Sequence, residues 1–179
     1  MISEEILDLV DKSDNTIGTM TRRSVYAEGL SNFRVINAFL ISPQGHLWIP
    51  RRNKNKTLFP FHLDASVGGH VSAGESYLNA FIRELQEELN LSLSDFNYQE
   101  INKLTPHDDG VSAFMKTYLI DFDESQTLEY NANDICSGEW LTPDMALFKL
   151  KNGDMGKGDL PTLIQSVKKW LINKEQVSI

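Results

Sequence analysis

Three carboxylates, Glu84, Glu87 and Glu88, fall within five residues of one another in the segment GHVSAGESYLNAFIRELQEELNL, residues 69–91. At roughly 100° per residue of helix they share about a third of the circumference. Like charges so placed repel, at a cost of roughly 0.2–0.5 kcal/mol per pair, and a divalent cation among them removes that cost. Hard oxygen ligands suit Mg²⁺ or Mn²⁺, which bind through one or two carboxylates, waters and substrate phosphates. Such ions polarise a phosphoryl oxygen and acidify a bound water, and a remaining carboxylate can take the proton. Taken alone, three glutamates on a helix also read as a solvated face, so the neighbours matter. Gly68-Gly69 lets the backbone approach a ligand or turn sharply. Glu75 lies just ahead of the helix and Arg83 one step before the cluster, a pair able to hold loop onto helix. Arg51, Arg52, Lys54 and Lys56 place four cations in six residues, suited to substrate phosphates or simply to water.

The bulk properties narrow the partners. The 179 residues suit one domain spanning 1–179 with a sizeable core. A net charge of −8 repels nucleic-acid phosphate, so nucleic acid is not expected and a small phosphorylated substrate would need a cation to neutralise it locally. No apolar run approaches the ~20 residues of a membrane helix. The N-terminus is acidic where a secretory signal is basic, and the single cysteine, Cys136, excludes an internal disulfide. The expected location is the cytoplasm, without membrane association.

The chemistry needs a helix, and the sequence supplies one over Ser76–Leu89, with Ser76 in the cap region and Leu78, Phe81, Ile82, Leu85 and Leu89 as the buried stripe, about a third of a turn from the carboxylates. Residues 5–11 and 16–20 read as a β-hairpin and Thr21–Glu28 as a short helix ended by Gly29. Strands are expected at 34–41, 46–50, 64–72, 98–104 and 112–121, with a basic loop over Arg51–Lys56. Helices are expected at Thr142–Leu150 and Leu160–Ile172. Strands mixed with a few helices predict an α/β (α+β) fold, a sheet covered by helices on both faces.

Gly69, Glu75, Arg83, Glu84, Leu85, Glu87, Glu88 and Leu91 occupy eight of the nine fixed positions of a known pattern, and the segment 69–91 resembles the Nudix box. Asn90 alone departs, standing where the pattern has glycine; asparagine also tolerates a left-handed helix terminus. The resemblance implies the αβα sandwich of the Nudix hydrolases, with a mixed sheet and the N-terminal hairpin as an extension. It implies Glu84, Glu87 and Glu88 as metal ligands, joined by the Gly69 carbonyl. Arg83 would orient a glutamate, Glu75 would pair with it, and Glu84, Glu87 and Arg83 would carry the catalysis. The reaction implied is Mg²⁺- or Mn²⁺-dependent hydrolysis of a phosphoanhydride in a small organic diphosphate. Dimers are common in the family, which leaves a homodimer open.

Residues 10–91 are further similar to the branch containing isopentenyl-diphosphate isomerase. That enzyme has a catalytic cysteine where this chain has Gly68, and histidine ligands where Tyr26–Leu40 has none. Loss of that machinery beside an intact box favours hydrolysis over an isomerase-like protein or a non-catalytic binder of a phosphorylated ligand. His70 reads as a polar strand residue or a metal ligand, and Asp108-Asp109 as a solvated turn or an extra ligand. Trp48, Trp140 and Trp170 read as packing residues and Cys136 as structural.

Overall fold

Residues 4–177 are described by a computed structural model of the chain. The centre is β3 (Arg34–Ile41), whose sequence RVINAFLI is apolar on both faces. Alternation sends its residues into two cores. Ile36, Ala38 and Leu40 pack with Phe81, Leu85 and Leu89 of α2 (Tyr77–Leu89). Phe39 and Ile41 pack with Leu163, Ile164 and Val167 of α4 (Leu160–Val177). Helices thus cover both faces of the sheet, as the αβα expectation requires. Among the described residues no helix is long and apolar enough to cross a membrane.

The sheet is mixed. β3 pairs in parallel with β7 (Phe114–Asp121), which pairs antiparallel with β6 (Tyr98–Leu104). The other edge of β3 is shared. It meets β4 (Leu47–Arg52) only at Ile41↔Leu47, and over Val35–Ala38 it meets β5 (Val67–His70). Buried Ser66 fills the fork where β4 departs: its hydroxyl accepts from Leu40 N at 2.9 Å and donates to the Trp48 carbonyl at 2.5 Å. β4 then pairs with β8 (Ile135–Leu141), and α3 (Pro143–Lys151) follows.

Several expected boundaries are corrected. Arg51 and Arg52 belong to β4, because β8 pairs with them, so the basic loop begins at Asn53. β8 itself was not expected. Its core, Cys-Ser-Gly-Glu, has little strand propensity, and Gly138 is there because a Cβ would lie 2.4 Å from the Trp48 ring. The strand expected over 64–72 is confined to 67–70, and α4 runs beyond Ile172.

The N-terminal extension forms a hairpin of β1 (Ile6–Val10) and β2 (Thr16–Thr21), then α1 (Arg22–Ala27), ended by Gly29 at φ +63°. It docks through charge. Asp14 accepts from Arg34 Nε at 2.6 Å, from the Tyr77 hydroxyl at 3.1 Å and from Lys103 Nζ at 2.5 Å. Burial works against the Asp14 charge, but hydrogen bonds from Lys103 and Arg34 outweigh it and hold the carboxyl below its usual value. The stabilisation is therefore complete above the unfolded value of about 3.9 and is lost as pH falls through the folded one. Asp14→Asn keeps the positive φ but leaves Arg34 under-compensated. It is expected to cost on the order of 3 kcal/mol at pH 7 and to flatten the acid limb of a stability–pH curve, measured by denaturant melts from pH 2 to 7.

Candidate active site

Helix α2 sets the geometry. Ser76 caps it, accepting from Asn79 N at 3.1 Å, and Asn90 ends it in the left-handed conformation at φ +53°. The buried arc differs from the expected stripe. Ala80, Phe81, Leu85 and Leu89 are buried, whereas Leu78 and Ile82 are 40% and 43% exposed. Glu84 and Glu88 face inward beside Phe81 and Leu85, while Leu78, in the first turn, and Ile82, at the far edge of the arc, meet solvent. Glu84 and Glu88 therefore lie within the buried arc and not a third of a turn away from it, whereas Glu87 is exposed.

Arg83 ties the loop before α2 to the helix. Its Nε and Nη2 donate to the two oxygens of Glu75 at 3.0 and 2.9 Å, and Nη2 also donates to the His70 carbonyl at 3.0 Å. Its Nη1 donates to Glu84 Oε1 at 2.7 Å and lies 3.6 Å from Glu87. Glu75 in turn accepts from Ser72 N at 3.0 Å. Burial opposes its charge, but Arg83 and the Ser72 amide prevail and hold its carboxyl below the usual range.

Glu84 and Glu88 behave in the opposite way. Burial pushes Glu84 up to about 7 against the pull of Arg83, with Glu87 and Glu5 adding repulsion. Burial pushes Glu88 up to about 8, and Glu84 and Asp64 raise it further against the Gly68 N–H, which donates to Glu88 at 3.1 Å. Glu84 lies against Gly69, where a Cβ would stand 2.0 Å from its carboxylate; at Gly68 a Cβ would meet Asn37 Oδ1 at 3.4 Å, an ordinary contact. Glycine at 69 is thus demanded by Glu84, while a side chain at 68 is sterically allowed.

Such a set fits a divalent cation. Burial raises both carboxyl groups, Glu84 despite its pair with Arg83, and a nearby cation would favour their charged forms. Glu84, Glu88, Glu87 and the Gly69 carbonyl could hold it. Glu87 is 58% exposed. Among the described residues no three Asp, Glu, His or Cys side chains are gathered tightly enough to enclose an ion unaided.

The carboxylates border a cavity of about 700 Å³. Of the four expected phosphate-binding cations, Arg52 and Lys56 line it, and Arg51 and Lys54 do not. Arg51 is committed elsewhere: it binds Asp154 bidentately at 2.9 and 2.8 Å and donates to the Phe61 carbonyl at 2.9 Å. Arg52 pairs with Asp64 at 2.9 Å and donates to the Leu58 carbonyl at 3.1 Å; Lys56 pairs with Asp134. Both arginines thereby fasten the turn in which Phe59 and Phe61 take φ values of +53° and +61°, a conformation that costs a bulky residue energy. Lys54 is exposed.

Two further cavity cations, Arg22 on α1 and Lys157 ahead of α4, escaped the sequence reading because only folding brings them to the box. His70 is a strand residue whose Nε2 is 3.0 Å from the Tyr26 hydroxyl and whose ring stacks on Phe33. Burial lowers its pKa to about 3, with Arg22, Lys157 and Arg83 assisting. Asp108 and Asp109 close a turn on Thr105 and lie outside the cavity. Trp48 is buried, and Trp140 and Trp170 pack partly against the two cores. Cys136 is exposed on β8, its thiol 3.4 Å from the Arg51 carbonyl.

The raised Glu84 and Glu88 values have a measurable consequence without substrate. A carboxyl whose folded pKa is raised stabilises the fold below its unfolded value of about 4.3 and loses that contribution as pH rises through the folded value. Metal-free protein should therefore lose stability between about pH 5 and 8, on the order of 2–3 kcal/mol from Glu88. Glu88→Gln should be flatter over that range and more stable at pH 8. A wild-type curve that stays level in chelator would contradict this.

The comparisons with known proteins agree with the geometry. A family model described as NUDIX domain matches residues 32–161. The chain is 48% identical over 161 residues to an uncharacterised Nudix hydrolase of Nostoc sp., covering 90% of this chain and 94% of that one. It is 42% identical to the crystal structure of DR0079 from Deinococcus radiodurans, with a TM-score of 0.84 over 90% of this chain and 98% of that one. Similarity to the isopentenyl-diphosphate Delta-isomerase of Serratia proteamaculans is narrower, 37% over 101 residues, covering 54% of this chain and 56% of that one. With its box, its sandwich and these relatives, the chain belongs to the Nudix hydrolase family.

Proposed function

We propose that the protein is an Mg²⁺- or Mn²⁺-dependent hydrolase that cleaves a phosphoanhydride bond in a small organic diphosphate. The observation that supports this best is the burial of Glu84 and Glu88 against Gly69 and Gly68, at the wall of a cavity that also holds Arg52, Lys56 and Lys157. Acidic groups are buried at a cost unless paired with a cation. A bound divalent ion supplies Lewis-acid polarisation and an acidified water. The chain's own residues do the rest. Glu84, Glu88, Glu87 and the Gly69 carbonyl are assigned as its ligands. Arg83, through Glu75 and the His70 carbonyl, holds Glu84 against the glycine strand. Arg52 and Lys56 face the phosphates, while Arg51 is engaged by Asp154 and Lys54 lies outside the cavity lining. Water attacks phosphorus, the anhydride P–O bond breaks with its electrons leaving on the departing phosphate, and a carboxylate of the three not engaged by the ion takes the proton of the water. Gly68 offers no acid for isomerisation.

Chelation followed by phosphate-release assays over a panel of diphosphates tests the reading: EDTA should abolish activity, and Mg²⁺ or Mn²⁺ should restore it. Full activity in chelator after exhaustive dialysis would refute the metal mechanism. Glu87→Gln and Glu88→Gln should each lower kcat on the order of 10²-fold while the fold melts no lower than wild type. Arg52→Ala should raise KM more than it lowers kcat, whereas Lys54→Ala should leave both unchanged. Binding of diphosphates without turnover by any member of the panel would favour a non-catalytic module.

A further inference from the structure

The sheet face beneath α4 is apolar apart from one row of polar side chains. Asn37 on β3 stands in register with Thr117 on β7, and Thr117 with Asn102 on β6. The residues around the row are core: Phe39, Met115, Leu119, Leu163 and Ile164. At its outer end the row is half satisfied: Asn102 Nδ2 donates to Ser166 Oγ at 2.7 Å and that hydroxyl donates to the Leu163 carbonyl at 2.7 Å, while Asn102 Oδ1 has no partner among the described residues. Its inner end makes no such bond. Asn37 is 5% exposed and Thr117 fully buried, and Asn37 Nδ2 and Thr117 Oγ1 have no hydrogen-bond partner among the described residues. An unpaired buried amide destabilises a fold, and a hydrocarbon of similar shape would not. No hydrogen bond made by Asn37 Nδ2 within the row accounts for an asparagine at this position.

Its location does. Asn37 lines the cavity beside the apolar side chains of Val35, Met115, Leu160 and Leu163. In register it faces Gly68, the residue whose N–H meets Glu88. Gly68 has no side chain to screen the amide, although a Cβ there would lie only 3.4 Å from Asn37 Oδ1. One glycine strand thus separates the buried carboxylates from an under-satisfied amide set in an apolar wall. A half-turn about χ2 exchanges the donor and acceptor of the amide, so Asn37 can offer either to a ligand.

We propose that Asn37 is a specificity-determining residue. Its amide hydrogen-bonds the organic group of the substrate and selects diphosphates whose organic group has a polar, hydrogen-bonding edge over those with a plain hydrocarbon chain. The proposal rests on the diphosphate-hydrolase reading for the place of the phosphates. A site with an unpaired polar group rejects an analogue that cannot pair with it far more strongly than an apolar pocket rejects an extra methylene.

The test is binding, measured by calorimetry with Ca²⁺ in place of Mg²⁺ on wild type and Asn37→Leu. The probes are uridine diphosphate and thiamine diphosphate (polar edges), isopentenyl diphosphate (hydrocarbon) and inorganic pyrophosphate (no organic group). Wild type should bind at least one polar-edged probe about tenfold or more tighter than isopentenyl diphosphate. Asn37→Leu should lose that preference, leave pyrophosphate within about twofold, and melt no lower than wild type. A wild type without the preference, or that binds none of the probes, overturns the proposal. So does an equal loss for every probe, no loss, or a lower melting temperature in the variant, which would make Asn37 structural. Should Asn37→Leu fail to fold, Asn37→Ala is read by the same criteria. Hydrolysis is scored separately in Mg²⁺. Absence of turnover by wild type on every diphosphate would sink the functional reading, while the binding preference stands or falls on its own.

Discussion

Arg83 is the residue on which the site depends mechanically. One guanidinium reaches Glu75 in the loop, the His70 carbonyl at the end of β5, and Glu84 and Glu87 on its own helix. A planar fork with five donors can do this, and a point-charge ammonium cannot. Because α2 is anchored in one core by Phe81, Leu85 and Leu89, and β5 is paired to β3, the clamp joins two already rigid elements. The spacing between glutamates and glycine strand is then set by the fold and not by loop conformation.

With that spacing fixed, acidic burial follows. Helix α2 faces Glu84 and Glu88 inward while Leu78 and Ile82 meet water. Each exposed aliphatic forgoes burial, and each buried carboxyl pays in charge. The arrangement is intelligible as a set of oxygens that share one guanidinium and would engage a further cation, with Gly69 providing the room that Glu84 occupies.

The cations show the converse economy. Arg51 and Arg52 hold a turn with two phenylalanines at positive φ, and Asp154 and Asp64 neutralise them. Positive charge reaches the cavity from separate parts of the chain: Arg22 from the extension, Arg52 and Lys56 from β4 and its loop, Lys157 from the segment before α4. The extension itself is held by Asp14 between Arg34 and Lys103. Residues outside the matched family segment therefore shape one wall of the site.

Local rules carried a large part of this in the sequence. The capped helix, its αL ending at Asn90, the Glu75–Arg83 pair, the hairpin and the apolar central strand are all properties of short segments, where spacing and residue type decide conformation. So is the box that names the family. Tertiary structure alone decided the rest. The phase of α2 depends on what faces it, since periodicity marks an amphipathic helix without saying whether Ile82 or Glu88 joins the buried arc. β8 has no strand signal of its own and exists because β4 offers it an edge and Trp48 requires Gly138. The fate of Arg51 was set by Asp154, 103 residues away. The row of Asn37, Thr117 and Asn102 exists only in the register of three strands. Partners distant in sequence are chosen by long-range packing, and no local pattern encodes that choice.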